Sequence, residues 1–273
     1  VTPRRSTGSR RRSQTPGLGH LPTGPVETSF ARAELVRHDT GVLLMLDGTE
    51  SSFVDLVDPA HLDFEYHQHM DAVLGALIGH HSPVRALHLG GAGCSLARAW
   101  DATRSGSTQV AVEIDEALAS LVRQWFDLPR SPRLRIRVGD ARQVVTGMRE
   151  DQWDVVVRDV FAQGRVPESC RSQGFLADCM RVLAPGGLML ANSSSAPRAR
   201  AGAELRALAS LAGGLVVVAD PAVARGARPG NLVLVARAEP FSAAELEEME
   251  RAVRRLPLPV RLWDPQDPAL PRP

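Results

Sequence analysis

Residues 86–115 constrain the chain path more tightly than any other stretch. Ala86–Gly90 is a short apolar strand candidate. A glycine loop follows, then a helical stretch opening at about Cys94, then a second apolar strand over 109–114. Gly90, Gly91 and Gly93 let the backbone turn sharply and approach a ligand closely. The following helix points its free N–H groups into the same crevice. Glu113, at the tip of the second strand, can accept both hydrogen bonds of a ribose diol. This order of parts predicts a nucleoside-binding crevice.

The bulk numbers narrow the class. The chain has 273 residues, 44% of them hydrophobic, enough for one sizeable core with an appendage. A net charge of +1 argues against a whole-chain electrostatic nucleic-acid binder. All 32 basic residues are arginine, so Schiff-base catalysis through a lysine is excluded. Cys94, Cys170 and Cys179 have neither disulfide nor metal spacing, and no metal site is expected. Cys94 has two readings: a thiol activated by the helix start, or a small residue in a tight loop. No apolar run is long enough to span a membrane, and the start lacks the apolar core of a signal peptide. The cytoplasm is the expected compartment.

Residues 1–25 are rich in Arg, Ser, Pro and Gly and read as a disordered tail. Residues 26–60 read as a small β domain. Its signals are the apolar run Val42–Leu46, the hairpin dipeptide Asp47-Gly48, and a second strand over 53–57. His61 to Ile78 reads as helix. From Pro83 onward strands and helices alternate, with strands at 86–90, 109–114, 134–138, 153–159, 188–192, 215–219 and 231–236. Seven apolar strands alternating with helices predict an α/β fold with a doubly wound, Rossmann-like sheet over 61–256. The last two strands should form an antiparallel hairpin. Phe241 to Arg255 reads as a charged amphipathic helix. The proline-rich residues 257–273 read as loose.

In such sheets ligands bind beyond the carboxyl ends of the strands. Besides Glu113, this selects Gly139-Asp140-Ala141 and Asp159. Asp140 can accept from an adenine amino group, or cap the helix that follows. Asp115 reads as a helix cap. A phosphate-binding P-loop is excluded, because no Gly-Lys-Ser/Thr occurs. A nicotinamide dehydrogenase fits less well than a methyltransferase-type sheet.

At this point the residues resemble the spermidine and spermine synthases, aminopropyltransferases on the class I methyltransferase fold with a small N-terminal β domain. The resemblance covers roughly Val42 to Asn192. It is carried by Leu46-Asp-Gly48, Tyr66-His-Gln68, Leu89-Gly-Gly91, Val112-Glu-Ile-Asp115, Gly139-Asp140, the strand ending at Asp159, and Leu183-Ala-Pro-Gly-Gly187. It implies that Glu113 binds the ribose of decarboxylated S-adenosylmethionine and Asp140 its adenine, with methylthioadenosine as product. His67 would lie near the cofactor, and Tyr66 and Asp159 would face an amine. A homodimer through the β domain is implied in the same way.

Departures from the family pattern are equally specific. The loop aspartate that attracts the aminopropyl ammonium is replaced by Gly93. The strand-end Asp-x-x-Asp is Asp159-Val-Phe-Ala162, and a glutamine of the first hairpin is Ser51. The family's second tyrosine has no counterpart, because Tyr66 is the single tyrosine. An alkylamine is protonated at neutral pH, so losing acids should impair both its binding and its deprotonation. A bare loop glycine would also tolerate the carboxylate of S-adenosylmethionine, with Arg158 as a possible counter-charge. Three functions stay open. The first is an adenosyl-sulfonium transferase with an unknown small-molecule acceptor, transferring methyl or aminopropyl through Asp159, Tyr66 and His67. The second is a polyamine aminopropyltransferase with relocated acids, Asp47, Glu50 or Glu168. The third is a noncatalytic nucleoside-binding protein.

Overall fold

The computed structural model describes residues 18–272. The arginine cluster at residues 4–12 lies outside the described residues. Residues 18–25, where the sequence predicts part of a tail, include defined structure. Leu18–His20 is a 3-10 turn, Leu21 is buried, and His20 Nε2 lies 3.0 Å from the Trp125 carbonyl oxygen.

Four antiparallel strands form the N-terminal sheet: β1 (Val26–Glu27), β2 (Arg32–Arg37), β3 (Gly41–Leu46) and β4 (Thr49–Asp55), in the order 1-2-3-4. The β3–β4 hairpin turns at Asp47-Gly48, both with positive φ, as an Asp-Gly turn requires. Sequence periodicity predicted β3 and β4 but not β1 or β2. β2 is mostly exposed and shows too little apolar alternation to stand out.

The helix α1 (Glu65–Ile78) leads into the main domain. It starts four residues after the expected His61, at an extended Phe64 that offers no side-chain cap. The alternation continues with β5 (Arg85–Leu89), α2 (Ser95–Thr103), β6 (Thr108–Glu113), α3 (Glu116–Trp125), β7 (Leu134–Val138), α4 (Ala141–Thr146), β8 (Trp153–Arg158) and α5 (Gln173–Arg181). Then come β9 (Leu183–Ser194), α6 (Arg198–Ala209), β10 (Gly214–Ala219), α7 (Pro221–Ala224), β11 (Asn231–Arg237), α8 (Ala243–Val253) and β12 (Arg261–Trp263). The sheet order is β12-β10-β11-β9-β8-β5-β6-β7. β5 to β9 pair in parallel, and β11, β10 and β12 pair antiparallel.

The sheet therefore has eight strands, not the seven predicted. The extra one lies in the segment expected to be loose. β12 pairs along β10. The Trp263 indole N–H donates to the Ala219 carbonyl at 3.1 Å, and Leu270 is buried. A three-residue strand amid prolines is invisible to composition, but its tryptophan covers an otherwise open sheet edge.

Strand alternation sorts the core into two faces. Leu87, Leu89, Val156 and Met189 pack with α4, α5 and α6. Ala86, Val155, Leu188 and Leu190 pack with α1 and α8. Chain order reverses at β5, which pairs with β6 on one side and β8 on the other. The crevice of a doubly wound sheet opens at such a point.

Polar ties join the N-terminal sheet to the main domain. Asp115 caps α3 through Leu118 N–H at 2.8 Å and accepts from Ser29 and Phe30 N–H at 3.0 and 2.9 Å. The Arg98 guanidinium donates to the Asp55 carbonyl at 2.5 Å. Burial alone would raise the Asp115 carboxyl, but hydrogen bonds from Thr28, Leu118, Ser29 and Phe30 outweigh it and hold the pKa below the usual 3.8. A depressed folded-state pKa contributes stability that is complete above that usual value and is lost as pH falls through the folded one. Asp115→Ala is expected to loosen residues 26–37 and cost about 1–3 kcal/mol. Limited proteolysis and urea titration measure the two effects. Unchanged cleavage and midpoint would refute the tie.

Candidate functional site

The carboxyl ends of β5, β6, β7 and β8, the first turns of α1, and the β3–β4 hairpin surround one crevice of about 1010 Å³. Gly90 ends β5 with φ +93°, and a Cβ there would overlap the Asp159 carbonyl oxygen of the neighbouring strand end. Only glycine permits that approach. Gly91 lies against Glu113, where an added Cβ would stand 3.3 Å from the Glu113 Cβ. The Glu113 carboxylate accepts from Gly91 and Ala92 N–H at 3.2 and 2.8 Å through Oε2, and from Asp115 N–H at 3.0 Å through Oε1. The loop's amides thus hold the carboxylate over the glycine turn. On a count of two lone pairs per oxygen, Oε1 keeps one free, and a diol's second hydroxyl would share Oε2 with the loop amides.

One strand further on, Asp140 takes the capping role and also borders the crevice. Its Oδ1 caps α4 by accepting from Gln143 N–H at 3.0 Å, and the residue also lines the crevice with Ala141. Oδ2 has no hydrogen-bond partner among the described residues. Phe30 and Ile114, exposed apolar side chains, border the same lobe. Two carboxylates and flanking apolar surface make an acceptor set suited to a nucleoside.

The other lobe is organised around Asp159. Tyr66 Oη donates to Oδ2 at 3.0 Å, and His67 Nε2 lies 3.3 Å from the same oxygen. Asn192 Nδ2 donates to Oδ1 at 2.8 Å. Burial pushes the Asp159 carboxyl up, but hydrogen bonds from His67, Asn192 and Tyr66 outweigh it and keep the group below the usual carboxylate range. Burial and the neighbouring Asp159 charge raise the Tyr66 phenol well above its usual 10.0. Asp159 is thus a fixed anion, and Tyr66 a fixed phenol donor.

Asn192 has no sequence motif of its own. It closes the predicted strand 188–192, which is followed by neither the glycine nor the acid that marks the other strand ends. Two deeper histidines also border the crevice. Burial drives His88 down to about 4, although Gln109 Oε1 lies 3.0 Å from its Nε2. His69 likewise falls to about 4, against the pull of Asp220.

Several predicted roles are corrected by orientation. Gly93 does not face the crevice. Its N–H donates to Ser52 Oγ at 3.0 Å, and an added Cβ would stand 2.7 Å from the Ser52 Cβ. The loop twists there because Ala92 and Cys94 both adopt positive φ. A side chain at 93 would meet β4, so the residue at 93 does not select the donor. Arg158 does not reach the crevice either. It is wholly buried, ion-paired to Glu204, and donates to the Asn192 carbonyl at 2.6 Å. Burial lowers it to about 10. Cys94 is buried with its thiol pushed up to about 12, first by burial and then by Glu113, which makes it inert. Alkylation of the native protein with iodoacetamide should leave Cys94 unmodified under conditions that label a free thiol; stoichiometric labelling would contradict this. Of the candidate relocated acids, Asp47 and Glu50 line the crevice. Glu168 points away, largely exposed beside Arg171.

A solved structure of a probable spermidine synthase from Corynebacterium glutamicum superimposes with a TM-score of 0.82 at 33% identity, covering 91% of this chain and 95% of that one. The chain belongs to the spermidine synthase family. A polyamine aminopropyltransferase of Thioalkalivibrio sulfidiphilus is 28% identical over 174 residues, 62% of this chain and 59% of that protein. One of Aeropyrum pernix is 31% identical over 57% of this chain and 49% of its own. This chain therefore spans about half to three-fifths of these relatives' lengths. Human methyltransferase-like protein 13, solved in complex with SAH, shares the fold at TM-score 0.58 and 23% identity. No family model matches the chain. Among the described residues, no helix is long and apolar enough to cross a membrane.

Proposed function

We propose that this protein is a transferase that binds an adenosyl sulfonium donor, S-adenosylmethionine or its decarboxylated form, and transfers a methyl or aminopropyl group to a small amine. The observation that carries the reading is one crevice with two unlike lobes. Glu113 and Asp140 stand at adjacent strand ends on one side, and the anion Asp159 is held by Tyr66, His67 and Asn192 on the other. Family membership and relatives named polyamine aminopropyltransferase support it.

The bound donor would supply an electrophilic carbon next to sulfonium and a neutral thioether leaving group. Glu113 would accept from the ribose diol, and Asp140 from the adenine amino group. Asp159 would accept a hydrogen bond from the amine and steady the positive charge that nitrogen gains on attack. Its low pKa makes it a weaker base than a family site with several acids, so its main contribution is electrostatic.

Asp159→Asn keeps the shape and removes the charge. The transfer rate is expected to fall about 10²–10³-fold, the range for deleting a group that stabilises developing charge. Methylthioadenosine affinity should stay within about threefold. The assay measures adenosyl thioether released from either donor over a panel of primary amines. An unchanged rate in the variant would remove Asp159 from the mechanism. A second reading, nucleoside binding without turnover, draws on the same cluster, because three donors already occupy Asp159. Tight binding of methylthioadenosine with no turnover of any amine would establish it.

A further inference from the structure

The crevice extends beyond Asp159. Running along α1, it meets Tyr66 first and His69 three residues later, a rise of about 4.5 Å. There it is bordered by Asp220, Arg228 and Asn231, at one end of β10 and β11. His69 is 95% buried, since 5% of its surface is exposed. Its Nδ1 has no hydrogen-bond partner among the described residues, although buried ring nitrogens are ordinarily paired. The imidazole is neutral near pH 7, so it offers one N–H and one lone pair. Asp220 is not a free anion. Its Oδ1 accepts from Ala222 and Val223 N–H at 2.6 and 3.2 Å, and its Oδ2 lies 3.3 Å from the Arg228 guanidinium.

We propose that this end is a distal acceptor subsite, built for an uncharged hydrogen-bonding group such as a hydroxyl or amide, and that the preferred acceptor is an amine with such a terminus rather than a diamine. The inference rests on the transferase reading of the preceding section. A second ammonium seeks an uncompensated carboxylate, and Asp220 is already compensated. A hydroxyl can donate to one partner and accept from another, which suits a neutral imidazole and an asparagine amide lining one crevice. The rise of about 4.5 Å from Tyr66 to His69 is a separation that a short alkyl chain between the reacting nitrogen and the distal group can bridge.

The test compares 4-aminobutan-1-ol with 1,4-diaminobutane as acceptors for the full chain, with methylthioadenosine binding measured in parallel. The amino alcohol is expected to have a kcat/KM about tenfold or more above the diamine, as expected where a site is built to pair a polar group. His69→Leu should erase that preference, mainly by raising KM for the amino alcohol. His69→Gln, which can still donate and accept, should retain most of it. Asn231→Ala offers an independent check, should His69→Leu fail to fold, and should narrow the preference in the same direction. Diamine preferred by the wild type, or a preference unmoved by both His69→Leu and Asn231→Ala, overturns the subsite while leaving the transferase reading intact. Failure of methylthioadenosine to bind the wild type overturns both.

Discussion

Replacing Glu204 by leucine is expected to destabilise the protein by about 3–5 kcal/mol, because it strands the Arg158 charge in the core. Both partners are essentially inaccessible, and Glu204 also accepts from Ser193 Oγ at 2.8 Å. A buried ion pair is costly to break from one side and far less costly to replace whole. The double variant Arg158→Met/Glu204→Leu should therefore recover most of the loss in urea titration. Function should not recover in parallel. Arg158 holds the Asn192 carbonyl, and the Asn192 amide holds Asp159. The double variant is thus expected to fold and to transfer more slowly than the wild type. A double variant as unstable as the single one would show that the pair contributes through packing rather than charge compensation.

Glu113→Ala is expected to weaken methylthioadenosine binding by about 100-fold or more. It removes an acceptor of two hydroxyl hydrogen bonds, and bonds to a charged group contribute about 1.5–3 kcal/mol each. It also leaves the Gly91, Ala92 and Asp115 amides without the carboxylate that they now share. Glu113→Gln keeps the length and loses the charge, so it should fall between the two. Calorimetric titration measures both, and a thermal midpoint within a few degrees of wild type would show that the fold survives. A loss below about threefold in Glu113→Ala would place the ribose elsewhere.

The parts of the site on strand tips were legible in the sequence, because apolar strands followed by glycine or an acid announce where the backbone turns. Glu113, Asp140 and Asp159 border the crevice for that reason. Side-chain direction was less legible. Arg158 shares strand parity with Val156, which packs toward α5 and α6, so it turns beneath the sheet to meet Glu204. That alternation was available in the sequence and was overridden by the proximity of Asp159. Gly93 could not be oriented, because positive φ at Ala92 and Cys94 has no residue-type signal. Asn192 and His69 come to line the crevice only when distant elements meet. β12 stayed hidden because three residues among prolines carry no period.

The proposed function requires one crevice to seat an adenosyl group across Glu113 and Asp140 with its sulfur directed at Asp159. A crystal structure with methylthioadenosine would show this. Both ribose hydroxyls are expected within hydrogen-bonding distance of the Glu113 carboxylate, the adenine amino group at Asp140, and the thioether facing Tyr66 and Asp159. A nucleoside bound outside this crevice, or seated in it with the ribose turned away from Glu113, would contradict it.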